Sequence, residues 1–306
     1  MRGAALALAA VLGGAIACAR AQPPPARTLD LEGVEVHLVM DDAAFGEAAP
    51  RITPWIERSL HIVANYYAGF PVHDLTIVVA PGFMSGVGGG TTFGAPRALI
   101  RLRVGREVSA AKLLDDWVLV HEMTHLALPD VGEEHAWLSE GLATYVEGIA
   151  RVRAGNRSEA DVWAEDLRQM PRGLPQPGDR GLDHTHTWGR TYWGGALFCL
   201  LADVQIRQKT ANHLGLEHAL RAIARASGGL GTSWPVTRVF ATGDAAVATH
   251  VLEDLYAGLK DTPRTTDLPA LWHDLGIEAD GDTVRLHADA PLARVREAIM
   301  GVPEDR

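Results

Sequence analysis

The sequence predicts an α+β fold, with strands gathered in the first third of the chain and helices filling the rest. Two observations carry that prediction. Short apolar runs with a two-residue period fall between residues 34 and 104, as half-buried strands require. Beyond residue 109 the apolar residues recur at three- and four-residue spacing over long windows, the period of a helix face. A chain of 306 residues, 47% hydrophobic, is long enough to close one large domain around a real core.

Taken in order, residues 22–28 read as a Pro-rich tail and Val34–Met40 alternates as a strand. Residues 52–68 read as a helix, and residues 75–80 and 98–104 as two further strands. Ser109 is placed to cap a helix that runs over residues 110–128, where Pro129-Asp130 stops it. A second helix spans residues 135–154, its apolar positions Trp137, Leu138, Leu142, Ala143, Val146 and Ile149 keeping helical period. Further helices are expected over 158–168, 195–208, 213–226 and 245–259. A closing strand and helix follow over 283–287 and 291–300. The organisation is read as a targeting segment over 1–21, the tail over 22–28, one main domain over 29–262 and a strand-helix appendage over 263–306.

The helix predicted over 110–128 carries His121-Glu122-Met123-Thr124-His125. Residues four apart lie one turn apart on the same face, so His121 and His125 can aim ring nitrogens at one ion. Glu122 projects beside them, placed to take a proton from a metal-bound water without being a ligand. The rest of the helix is mostly apolar and belongs in a core. Burying two imidazoles and a carboxylate there without partners would cost about 1–3 kcal/mol for each unsatisfied group, which a metal offsets.

A catalytic zinc site has three protein ligands and an open position. Glu140 is the candidate for the third, since it sits among Trp137, Leu138 and Leu142 on the following helix. Composition alone would read it as a solvated surface carboxylate. Thr144, one turn on, is read either as orienting a ligand or as a plain helix-interior threonine.

Residues 137 to 147, Trp-Leu-Ser-Glu-Gly-Leu-Ala-Thr-Tyr-Val-Glu, resemble the gluzincin zinc metallopeptidases, especially the aminopeptidase N family and the related glycyl aminopeptidase family. These share a helix reading Trp-Leu-x-Glu-Gly-x-Ala-x-Tyr-Val-Glu, whose first Glu is the third zinc ligand. The connection from Leu126 to Ser139 is fourteen residues, shorter than those families carry, and only the two helix faces need converge. The resemblance covers roughly residues 60 to 260 and implies a zincin, thermolysin-like catalytic domain with a small N-terminal mixed sheet and a helical C-terminal half. It implies Zn2+ on His121, His125 and Glu140, and hydrolysis of a peptide or protein substrate by a metal-activated water with Glu122 as general base.

Downstream, Tyr192-Trp193-Gly194-Gly195-Ala196 stands where the families carry Tyr-x-Lys-Gly-Ala. The resemblance gives the Tyr192 hydroxyl the oxyanion of the tetrahedral intermediate; Gly194 replaces the Lys. The bland alternative for Tyr192 is a buried aromatic at a helix start. His184 and His186 stand nearby, and an alternating His-x-His in a polar loop is more often solvated. The families also bind substrate backbone on an edge strand whose Glu grips the free amine. The equivalent stretch here, Ser85 to Gly94, is glycine-rich and has no acidic residue, which sets aminopeptidase activity in particular doubt. It is no phosphate loop either, lacking a Gly-Lys-Ser or Gly-Lys-Thr ending. A non-catalytic zinc-containing binding module and a hydrolase of a non-peptide amide or ester are the alternative functions. Retention of Glu122 and Tyr192 argues for catalysis.

The formal net charge of -10 argues against a nucleic-acid partner. Met1-Arg2, an apolar stretch from Ala4 to Ala17 and Ala19-Arg20-Ala21 read as a signal peptide of an exported, periplasmic or secreted protein, too short for a membrane span. Ala15-Ile16-Ala17-Cys18 is a weak lipoprotein box, so a lipid anchor at Cys18 is the alternative. The other cysteine, Cys199, lies in an apolar run and reads as core filler, so no intrachain disulfide is expected in the mature protein.

Overall fold

The computed structural model describes residues 26–301; the signal-peptide stretch, the exit site and Cys18 lie outside the described residues. The first two strands, β1 (Ala26–Leu31) and β2 (Val34–Met40), form an antiparallel hairpin. Glu32 and Gly33, both at positive φ, make its two-residue turn, the twist that suits a hairpin. The strand takes in Ala26, Arg27 and Thr28 of the stretch that reads as a Pro-rich tail, because their backbone pairs with Val39, Leu38 and His37.

A short helix α1 (Asp42–Phe45) leads to the long α2 (Ala49–Tyr67), then β3 (Asp74–Gly82), β4 (Val87–Phe93) and β5 (Leu99–Gly105). The sheet runs β1-β2-β3-β5-β4, with β2, β3 and β5 parallel and β1 and β4 antiparallel on the two edges. Strand alternation sends Val34, Val36 and Leu38 of β2, Leu75, Ile77 and Val79 of β3, and Ile100, Leu102 and Val104 of β5 into the core. Trp55, Ile56 and Leu60 of α2 are buried in the same core. The mixed sheet predicted for the N-terminal part is therefore present, and its outermost strand is the glycine-rich one.

The helix predicted over 110–128 is broken. The structure has α3 (Ala110–Leu114), capped by Ser109 Oγ as expected, and a separate α4 (Val118–His125). The physical cause is Asp116, whose carboxylate accepts hydrogen bonds from the Val118 and Leu119 amides and starts a new helix there. Next come α5 (Ala136–Arg153), α6 (Glu159–Gln169), α7 (Gly195–Lys209) and α8 (Leu216–Ser227). The helix predicted over 245–259 is two helices, α9 (Val236–Val247) and α10 (Val251–Leu259). Ala248 turns left-handed at φ 52° between them, and Asp244 caps the second by accepting from the Leu252 and Glu253 amides. A helix α11 (Leu268–Leu275), absent from the sequence reading, precedes the hairpin of β6 (Ile277–Asp280) and β7 (Thr283–Leu286) and the final α12 (Ala293–Met300).

Two features set α5, which carries Glu140, against its neighbours. Gly141 and Gly195 let α5 and α7 touch at backbone distance: a Cβ on Gly141 would lie 2.2 Å from Gly195 Cα, and one on Gly195 1.9 Å from the Trp137 carbonyl oxygen. At the other end of α5 a buried ionic network ties three helices. Arg207 reaches Asp203 at 2.8 Å and Glu217 at 2.8 Å, Arg153 reaches Glu217 at 3.3 Å, and Tyr145 donates to Asp203 at 3.0 Å. Arg153 also donates to the Ile299 carbonyl at 2.7 Å, which fastens α12 to the helical half.

Candidate active site

The short α4 packs on α2, α5 and the edge strand β4, so the face bearing His121 and His125 looks into a cleft between β4 and α5. The cleft encloses about 550 Å³. His121 and Glu122 are buried, at 6% and 8% exposure. His121 Nε2 lies 3.2 Å from Glu140 Oε2, and His125 Nε2 lies 3.6 Å from the same oxygen. One ligand atom from each of His121, His125 and Glu140 falls within 4.8 Å of the others, close enough to hold one ion.

The electrostatics suit that use. Burial, with His121 adding to it, pushes His125 down to about 4, so its ring is neutral and has a lone pair to offer. His125 Nδ1 sits 2.9 Å from Ser139 Oγ. A ring that donates from Nδ1 presents Nε2 to the cluster, which is how ligating histidines are oriented. Burial works to raise Glu140, but its hydrogen bond with His121 and the two imidazoles hold it below the ordinary carboxylate value. Two imidazole nitrogens and one carboxylate oxygen are the donor set of a catalytic zinc site, so the residues fit the ion that the sequence implies.

Glu122 stands beside this cluster and does not join it. Its carboxylate lies 2.6 Å from the Thr92 hydroxyl on β4, which also lies 2.9 Å from the Glu122 backbone oxygen. Desolvation raises Glu122 above the ordinary carboxylate value, against the Thr92 hydrogen bond and the His121 ring. Gly90, two residues before Thr92, makes room: a Cβ there would lie 2.4 Å from Glu122 Cγ. The glycine run thus serves close approach of β4 to the α4 carboxylate. Thr92, Ser139 and Gly90 are the residues the sequence reading missed. The available signals were the period-two spacing of Gly90 and Thr92 and the place of Ser139 beside Glu140.

Tyr192 lies in a π-helical turn, Arg190–Gly194, that leads into α7. Buried Arg190 anchors this turn, donating to the Gly173 carbonyl at 2.6 Å and pairing with Asp179 at 2.7 Å. The Tyr192 ring stacks near His121, centroids 6.3 Å apart, and with Trp188 at 5.7 Å. Burial first, and then the adjacent Glu140 carboxylate, push its hydroxyl up to about 12, so it stays a donor at neutral pH. At Gly194 a Cβ would meet Arg190 Nη1 at 3.1 Å and the Gly173 carbonyl at 3.3 Å. The anchoring arginine therefore crowds the place where the resembling families carry a lysine.

Three sequence readings go elsewhere. Thr144 donates to the Glu140 backbone carbonyl at 2.8 Å, an ordinary turn-to-turn bond, so it touches no ligand atom. His184 pairs with Asp261 at 2.7 Å on the surface, and His186 is exposed; neither lines the cleft. A second group that could hold a metal, Asp244, His250 and Glu253, is explained by the capping role of Asp244.

No protein-family profile matches the sequence, and no curated protein matches it. Solved structures do match. The chain is similar to an aminopeptidase N family protein from Idiomarina loihiensis, with a TM-score of 0.58 at 16% identity over 83% of this chain and 49% of that one. It is also similar to the M1 zinc metallopeptidase from Deinococcus radiodurans, with a TM-score of 0.51 at 15% identity over 81% of this chain and 53% of that one. A mutant of the latter bound to a Tyr-Ser-Ala substrate matches at TM-score 0.50 and 16% identity, over 81% of this chain and 54% of that chain. The chain thus spans about half the length of the structures it matches, and the likeness is one of fold. The fold is one that zinc metallopeptidases use.

Proposed function

We propose that this protein is a zinc-dependent peptidase with a gluzincin, thermolysin-like catalytic domain. The observation that supports it most is the convergence of His121, His125 and Glu140 within 4.8 Å, with Glu122 and Tyr192 flanking them in one cleft. His121, His125 and Glu140 would hold a zinc ion, and the chemistry it would supply there is Lewis acidity toward a carbonyl and a water. Glu122, raised above the ordinary carboxylate value by desolvation and oriented by Thr92, takes the proton of the attacking water and passes it to the departing amine. Tyr192 Oη donates to the oxyanion as it develops. Among the described residues nothing pairs with the outer edge of β4, which can take an extended peptide as a further antiparallel strand.

The absence of an acidic residue from β4 favours internal cleavage over removal of an N-terminal residue, because no carboxylate there holds a free amine. Export, by cleavage after Ala21 or by lipidation at Cys18, is part of the same reading. Among the described residues no helix is long and apolar enough to cross a membrane. The test is digestion of a mixed peptide library by the zinc-loaded protein, with and without a chelator. Chelator-sensitive cuts inside peptides support the proposal. An untouched library alongside hydrolysis of simple esters or acyl amides would move the function to the non-peptide alternative, and inactivity on both would leave a binding module.

A further inference from the structure

A second cavity, of about 410 Å³, opens beside the cleft and shares Trp117, His121 and Tyr192 with it. Its walls are α5 and α6, and its mouth carries two large aromatic residues in the open, Trp117 at 52% and Trp188 at 55% exposure. Four carboxylates line it, of which Asp115 is exposed and lies 4.0 Å from Arg151. Glu147 is paired with Arg151 at 2.7 Å and Glu165 with Arg157 at 2.7 Å. Among the described residues none hydrogen-bonds to the Asp166 carboxyl or forms an ion pair with it, and the Arg157 charge acts on it only from a distance. Beside it in the wall, the Gln169 Oε1 atom is buried with no donor to satisfy it. Of the arginines in the wall, Arg151 and Arg157 are committed to those partners, and Arg172 lies over the Trp188 ring at 5.7 Å.

Two polar groups, the Asp166 carboxyl and the Gln169 carboxamide oxygen, thus belong to the cavity wall without a hydrogen-bond partner among the described residues, and leaving such groups unmet is costly. Desolvation, with Glu165 beside it, pushes the Asp166 carboxyl up to about 8, which a cation brought into the cavity would reverse. An aromatic mouth followed by hydrogen-bond acceptors suits a long side chain with an apolar or π-stacking stem and a cationic, donor-rich head. We infer that this cavity is a specificity pocket that takes an arginine or lysine side chain of the substrate next to the scissile bond, with Asp166 and Gln169 receiving its head and Trp117 and Trp188 flanking its stem. The inference rests on the peptidase reading for what the ligand is part of, but not for the binding itself. A bare α-ammonium needs no cavity of this size or aromatic mouth, so the side chain is the better occupant.

The test measures binding by calorimetry to the Glu122→Gln protein, which keeps the pocket and does not turn over. The probes are Nα-acetyl-arginine amide, Nα-acetyl-norleucine amide, Nα-acetyl-glutamate amide and alanine amide with a free α-amine. The arginine probe is expected to bind at least ~10-fold tighter than norleucine, and glutamate weakest. Asp166→Asn, isosteric and relieved of a desolvated acid, should bring arginine to within ~2-fold of norleucine and leave norleucine unchanged. Equal binding of arginine and norleucine, or a preference for glutamate, overturns the inference, and neither result needs the variant to fold. Preference for alanine amide over the arginine probe overturns it in favour of an amine anchor. A parallel library digest separates the two claims. Arginine preference without any cleavage sinks the peptidase reading and keeps the pocket; cleavage indifferent to basic residues, with no arginine preference in binding, does the opposite.

Discussion

The helix α5 carries a buried charged cluster at each end, and the two are built on opposite plans. At its C-terminal end Arg153 joins Asp203, Arg207 and Glu217, where each carboxylate meets a guanidinium and Asp203 also receives the Tyr145 hydroxyl. At its N-terminal end Glu140 meets His121 and His125, one of them held neutral, and no Lys or Arg lines the cleft around them. The first cluster satisfies its own charge and fastens helices together. In the second, two imidazoles and a carboxylate converge with no guanidinium or ammonium among them, an arrangement that a cation from outside the chain can complete. One end of α5 is thus closed on its own charges, and the other is the end to which the proposed function assigns the chemistry.

The contrast can be broken from either side. Glu122→Gln is expected to lower kcat/KM about 10²–10⁴-fold while zinc content and melting temperature stay as in wild type, read by a quenched-peptide assay with elemental analysis. Glu217→Ala, which takes from Arg153 its carboxylate partner and from Arg207 one of two, should cost about 3–5 kcal/mol in denaturant unfolding and leave the zinc stoichiometry of the folded fraction unchanged. If instead it emptied the metal site, the two ends of α5 would not be independent. Tyr192→Phe should lower kcat about 10²–10³-fold with little change in KM, the mark of a donor that acts on the oxyanion alone. Smallest is Ser139→Ala, expected to weaken zinc about 10–100-fold in competition with a chelating indicator, because His125 loses the partner that orients its ring.

What the sequence revealed follows from how far each determinant reaches along the chain. His121, Glu122 and His125 lie within five residues and Glu140 within a patterned helix, so local periodicity was enough to put them on converging faces. Strands β2, β3 and β5 were legible for the same reason, since each has an unbroken apolar alternation. The breaks were not. Asp116 and Asp244 each end one helix and start the next through side-chain bonds to amides two to nine residues on, and a periodicity count runs straight across them. Thr92 and Gly90 reach Glu122 from thirty or so positions away through the sheet, which only the assembled fold reveals. Thr144 shows the converse: its spacing from Glu140 was read well, but its hydroxyl is taken by the helix backbone.

The most direct test of the central claim is the metal content of the purified protein, measured by elemental analysis for wild type and for Glu140→Ala. About one zinc per chain in the wild type, lost in the variant while the fold persists by circular dichroism, is the predicted result. Zinc absent from a wild type prepared without chelators, or retained equally by the variant, would contradict it.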